Sequence, residues 1–261
     1  VRPSPGGRTP ASFERARRDL DHIRDVCRAE RHRNGFFAAM YGRVTAAVEA
    51  RARAGRFADP NGMEAFVGRF AARYVEAYWA RAAGQPTTAS WRGTFDAADT
   101  DAPLVVQHLA LGMNAHINLD LGIVTAEAAD ANGSVEHLRR DFLAINDVLA
   151  ELVDRCQAAV VASSPVLAVV DDLLDSHDES ATRFSLRLAR SGAWDFAERL
   201  AGSPASERAS LIGRRDQAVA SVGSRLLTRA GPIDTVQRLV RAGEWRSVES
   251  VIDTLTSVDV D

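Results

Sequence analysis

Lysine is missing from this 261-residue chain, so all 32 of its basic side chains are arginine. That excludes Schiff-base catalysis by lysine and any phosphate-binding loop that depends on one. Through codon bias rather than physics, it also points to a bacterium of high GC content. Cysteine is scarce. Cys27 and Cys156 each lie on or beside an apolar helical stripe, which predicts buried free thiols and no disulfide framework. No run of about 18 apolar residues occurs, so no membrane span is expected. Val1 to Pro10 is polar and rich in Pro and Gly, unlike a signal peptide, and a cytoplasmic protein is the expectation. Excess positive charge is lacking too, since the formal net charge is −3. Arginines are interleaved with Asp and Glu and form no basic face, so nucleic acid is not an expected partner. The patterns G-x-S-x-G, H-E-x-x-H, C-x-x-C, the P-loop and the Rossmann fingerprint are absent. Sustained β alternation is absent as well, and the expected class is all-α.

What remains is a series of helical periods. A chain of this length can form one large domain or two small ones. The reading is a flexible lead over 1–10, a main helical domain over 11–200, and C-terminal helices over 201–261 packed on the same domain. Ser12 is placed to cap a helix carrying Phe13, Ala16, Leu20, Ile23 and Cys27. Gly35 interrupts, and a second helix carries Phe36, Phe37, Met40, Tyr41, Val44 and Val48. A third, after Asp59-Pro60, carries Phe66, Phe70, Tyr74 and Tyr78. Residues 84–103, with Trp91 and Phe95, read as an irregular packed connector or a lid. A helix over 103–128, another over 134–162 and a shorter one from Pro165 follow. Ser203-Pro204 and Gly231-Pro232 mark later helix starts.

The segment 103–128 is chemically unusual. From Leu104 to Leu121 it is apolar on all sides, which predicts a buried helix. Yet it carries His108, Asn114, His116, Asn118 and Asp120. At about 100° per residue, His116 and Asp120 share a face, with His108 two turns earlier on the same side. Asn114 and Asn118 form a second pair that projects nearly opposite. Gly112 leaves room on the first stripe for a neighbouring helix or a ligand. A His and an Asp at i,i+4 can bind one divalent metal, zinc or magnesium, with His108 as a further donor. They can equally form a base and its orienting carboxylate. Asp141, Asn146, Tyr41 and Tyr74 are candidates to reach the same centre, and a polar network that merely fixes helix register is the bland alternative.

Several strings come in the order of a known family. They are Phe36 to Thr45, Phe70-Ala71-Ala72-Arg73-Tyr74, Trp91, Leu111 to Leu121 with its GMNAHIN-x-DL core, Asp141-Phe142 through Asn146, and Ala189 to Leu200. Together they resemble a bacterial family known only as domain of unknown function 5995, over roughly residues 12–200. The resemblance implies one helical domain with a polar centre and carries no activity. Locally, Leu111-Gly112, His116 and Asp120 also resemble the L-G-x-x-x-H-x-x-x-D pattern of zinc-dependent phospholipase C. The further His ligands and the H-x-x-x-E pair of that family are absent here, so the likeness implies at most a single metal.

Asp171-Asp172-Leu173-Leu174-Asp175 matches the D-D-x-x-D pattern by which isoprenoid synthases hold magnesium against a diphosphate. No N-D-x-x-S-x-x-x-E partner follows, and aromatics make up only 7% of the chain. Three readings of function result. The first is a small-molecule enzyme, hydrolase-like and metal-assisted, with His116, Asp120, Asn114, Asn118, Asp141, Tyr41 and Tyr74 around its ligand. The second is a magnesium-dependent isoprenoid-diphosphate lyase or cyclase. The third is a non-catalytic helical interaction protein.

Overall fold

The computed structural model describes residues 12–132, 134–146, 148–149, 155, 178–227 and 247–259, and for 131–132 and 178–185 the backbone alone. Every regular element among the described residues is helical. The expected lead over 1–10, Cys156, the helix from Pro165, Asp171, Asp172, Asp175 and Gly231-Pro232 lie outside them.

Helix α1 (Phe13–Ala29) starts at Ser12, whose hydroxyl accepts from the Arg15 amide. Its residues at spacings of three and four, from Phe13 to Cys27, are buried while the opposite face is charged. Helix α2 (Asn34–Arg53) runs beside it and is buried continuously from Gly35 to Tyr41. Gly35 was expected to interrupt the chain, but it sits inside the first turn of α2. A β-carbon there would stand 2.9 Å from Cys27 Cβ, so the missing side chain lets the two helices close. Helix α3 (Pro60–Ala82) is capped by Asp59, with Pro60 at its first turn.

The stretch 84–103 departs from expectation. Its middle is a helix, α4 (Ala89–Ala98), capped by Thr88, with Trp91 and Phe95 in the core. The segment expected as one helix over 103–128 is three pieces. Helix α5 (Val105–Ala115) passes into a π-helical turn, His116–Asp120, and continues as α6 (Leu121–Asn132). A tight turn at Glu136–Leu138 precedes helical residues over 139–146 and 148–149, so the next helix begins later than Ser134. Helices α7 (Asp178–Ala201), α8 (Ala205–Leu227) and α9 (Val248–Thr256) follow.

The α5–π–α6 rod is the axis of the fold. Helices α2 and α4 pack on α5, α3 on the π turn and α6, α7 on α6 and the π turn, and α8 on α4, α5 and the π turn. Helix α9 covers α2 and α1. Two carboxylates tie distant segments to helix starts. Asp216 of α8 accepts from the Ala89 and Ser90 amides at 2.7 and 2.9 Å, and so holds the N-terminus of α4. Asp141 accepts from the Ala58 and Asp59 amides at 2.7 and 2.8 Å, just ahead of α3.

Gly112 sits where α5 meets α2. The room expected beside it is filled by the Phe37 ring, whose Cγ would lie 2.6 Å from an added β-carbon. Gly112→Ala is expected to cost about 1–3 kcal/mol through overpacking. Denaturant unfolding measures this, and an unchanged midpoint would show that the ring moves aside freely.

Candidate functional site

The π turn builds the centre of the site. In it the Leu121 amide donates to the His116 carbonyl five residues back, and such wide turns recur at functional positions. It faces α2, α3 and α4 with its His116/Asp120 side and α8 with its Asn114/Asn118 side, as the helical geometry of the sequence predicts.

Asp120 is 1% exposed and binds three donors. His116 Nδ1 lies 3.1 Å and Trp91 Nε1 2.9 Å from its Oδ2, and Arg73 Nε lies 3.2 Å from Oδ1. A carboxylate accepts, so the imidazole donates from Nδ1 and presents a bare lone pair at Nε2. The imidazole is enclosed by rings. Phe70 stacks on it at 3.6 Å between centroids and 8° between planes, and Tyr41 meets it edge-on at 4.6 Å. Phe37 and Trp91 complete the enclosure at 5.9 and 6.0 Å. Burial lowers the pKa of His116 against the opposing pull of Asp120, so the ring stays neutral.

His116 Nε2 is buried without a hydrogen-bond partner, and so are the hydroxyls of Tyr41 and Tyr74. Burial raises both tyrosines well above their ordinary pKa, and for Tyr41 the Asp120 charge adds to the effect. Both hydroxyls therefore remain protonated donors. The one described cysteine, Cys27, is bonded to Tyr78 Oη at 3.3 Å. Burial pushes its thiol up to about 11, so it is no nucleophile at neutral pH.

Of the expected site residues, His116, Asp120 and Tyr41 come together, and Tyr74 packs behind them on Phe37, Tyr41 and Trp91 with Cys27 and Tyr78 as its polar neighbours. The others go elsewhere for physical reasons. His108 does not join the pair: its imidazole lies edge-on to Phe36, with Arg33 and His32 nearby. Asp141 is used up by the two amides ahead of α3. Asn146 accepts from Arg190 Nε at 2.5 Å. Asn114 donates to the Val219 carbonyl at 2.9 Å and accepts from Asn118 Nδ2 at 3.1 Å, so this pair docks α8. Among the described residues no three of His, Cys, Asp and Glu gather as a metal site.

Trp91, Arg73 and Phe70 were missed as members of the centre. Phe70, Arg73 and Tyr74 stand at i, i+3 and i+4 on α3, a spacing that puts them on one face. Trp91 became findable only once its stretch was seen to be helical.

His108 and His116 both have folded pKa values below the ordinary 6.5, His108 at about 4 and both mainly through burial. The unfolded chain takes up these protons first, so stability is complete above pH 6.5 and falls as pH drops towards 4. His108→Leu is expected to flatten that slope, as measured by urea unfolding between pH 4 and 7. An identical slope in the variant would contradict the assignment.

Comparison with known proteins gives one match. The model of a family of unknown function (DUF5995) matches residues 14–229. No curated protein and no solved structure matches. The match spans most of the chain and every residue of the buried cluster, and this chain belongs to that family.

Proposed function

We propose that this chain is a small-molecule enzyme in which His116 is the general base and hydrolysis the reaction. The observation that supports it is the buried, unpartnered Nε2 of His116, together with the equally unpartnered hydroxyl of Tyr41, whose ring meets the imidazole edge-on. Buried polar atoms are nearly always bonded, and each one left alone costs about 1–3 kcal/mol. Such a pair is reasonable where a substrate supplies the missing bonds. Neutral Nε2 would take a proton from an attacking water, and Asp120 would stabilise the imidazolium that forms. The Tyr41 hydroxyl would donate to the oxygen on which negative charge develops. Cys27 is bonded away from His116, so direct attack by water is favoured over a covalent intermediate.

A single zinc or magnesium ion is the less supported variant. Nε2 is one open ligand atom, but Asp120 already holds three donors, including the Arg73 cation. The diphosphate alternative rests on Asp171, Asp172 and Asp175 and gains nothing from this geometry. Access would run past α3, where Phe70 is only partly buried and the Arg73 side chain is 29% exposed.

A panel of carboxylic esters, phosphate esters and amides tests the reading. On any substrate turned over by the wild type, His116→Ala should lower kcat by about 10²–10⁴, and Tyr41→Phe should lower it less. Full activity of His116→Ala would remove the catalytic role. The second reading, a helical interaction protein, is favoured by the saturation of Asp120 by neighbouring side chains. It expects no turnover across the panel and a loss of stability when an apolar side chain replaces His116, because Asp120 then loses a donor.

A further inference from the structure

We propose that the groove between α7 and α8 binds a small organic anion, a carboxylate or a phosphate ester with an apolar body, through Arg199, Arg214 and Arg215. The groove encloses about 360 Å³, with Phe196 and Leu211 as apolar lining and Asp195 as its one carboxylate against three guanidinium groups. That size lies at the small end of ligand clefts, which suits a metabolite rather than a macromolecule.

The convergence of the arginines sets this groove apart. Elsewhere many meet carboxylates, as Arg28 meets Asp253, Arg81 meets Asp96 and Asp99, and Arg208 meets Asp130, while others such as Arg43 and Arg190 bond neutral oxygens one at a time. In the groove, among the described residues, none of the three forms an ion pair. Arg214 bonds Ser210 Oγ at 2.7 Å. Arg215 donates to two backbone carbonyls, Asn118 O at 2.8 Å and Gly192 O at 3.3 Å, and lies 5.4 Å above the Phe196 ring. Burial and the nearby Arg199 charge disfavour the cationic form of Arg215, and the Asp195 carboxylate offsets them only in part. A planar guanidinium matches carboxylate and phosphate oxygens in pairs, and an anion here would offset the mutual repulsion of the three. The larger groove beside α1 and α2 makes no such demand, since there Arg17 and Arg53 converge on Glu49. The anion groove lies on the α7/α8 side of the π turn, and the inference stands whether or not His116 is a base.

The test is calorimetric titration of the full chain with inorganic phosphate, phenyl phosphate, benzoate and phenol. Saturable binding of phenyl phosphate or benzoate is expected, tighter than that of inorganic phosphate, with none for phenol. Whichever of the two aromatic anions binds more tightly identifies the headgroup. Arg199 and Arg214 are exposed, so the double variant Arg199→Gln/Arg214→Gln should melt like the wild type and bind about tenfold or more weakly. The proposal is overturned if no anion binds at millimolar concentration, if the double variant binds equally well, or if phenol binds as tightly as the anions.

Discussion

The carboxylate of Asp120 is the point on which the interior depends. Its three donors come from the π turn itself, from α3 and from α4, so one side chain locks three elements in register. A buried carboxylate without partners would be expelled or neutralised. This one is held by an arginine whose outer part reaches solvent, an indole and an imidazole. Removing any of these donors leaves charge or hydrogen-bonding capacity unmatched in an apolar interior. The surrounding rings add to the constraint, because Phe37, Phe70, Tyr41 and Trp91 can close on His116 only while Asp120 fixes the imidazole plane.

The same arrangement explains the state of the histidine. An imidazole beside a carboxylate would ordinarily gain a proton. Here desolvation outweighs that pull, and Arg73 works against a second positive charge. The ring is left neutral and oriented, with its basic nitrogen turned away from the carboxylate. Folding uses the Nδ1 proton to hold Asp120 but makes no use of Nε2, which stays a buried acceptor without a bond. The polar atom is better explained by something it does than by the packing it provides.

Much of this was legible in the sequence. The all-apolar rod carrying His116 and Asp120 could only be buried, and spacing alone placed the two on one face and Asn114/Asn118 on the other. Tyr41 and Tyr74 were placed near them by the periods of their own helices. Three features were hidden for identifiable reasons. Helix α4 is short, contains Gly93 and is flanked by Pro86 and Pro103, so its punctuation outweighed its period, and Trp91 went unrecognised as a ligand of Asp120. The π turn is a slip of one residue within a continuous apolar segment and leaves no compositional mark. Asp141 was assigned to the centre because it flanks the apolar stripe of its own helix. Its actual partners are the Ala58 and Asp59 amides, which no pattern local to Asp141 could reveal.

The π turn also resolves why one short segment needs polar residues on both sides. Two opposite faces of the rod must each be fixed, one to α3 and α4 and the other to α8, and apolar contact alone sets no register. On the inner face Asp120 does this through directional bonds. On the outer face Asn114 reaches the Val219 carbonyl, and Arg215 reaches back to the Asn118 carbonyl. Arg215 thus ties α8 to the backbone of the wide turn itself. The polar residues of the central rod fix it on both faces, with the unbonded Nε2 of His116 on the inner side and Arg215 bonded to the turn on the outer.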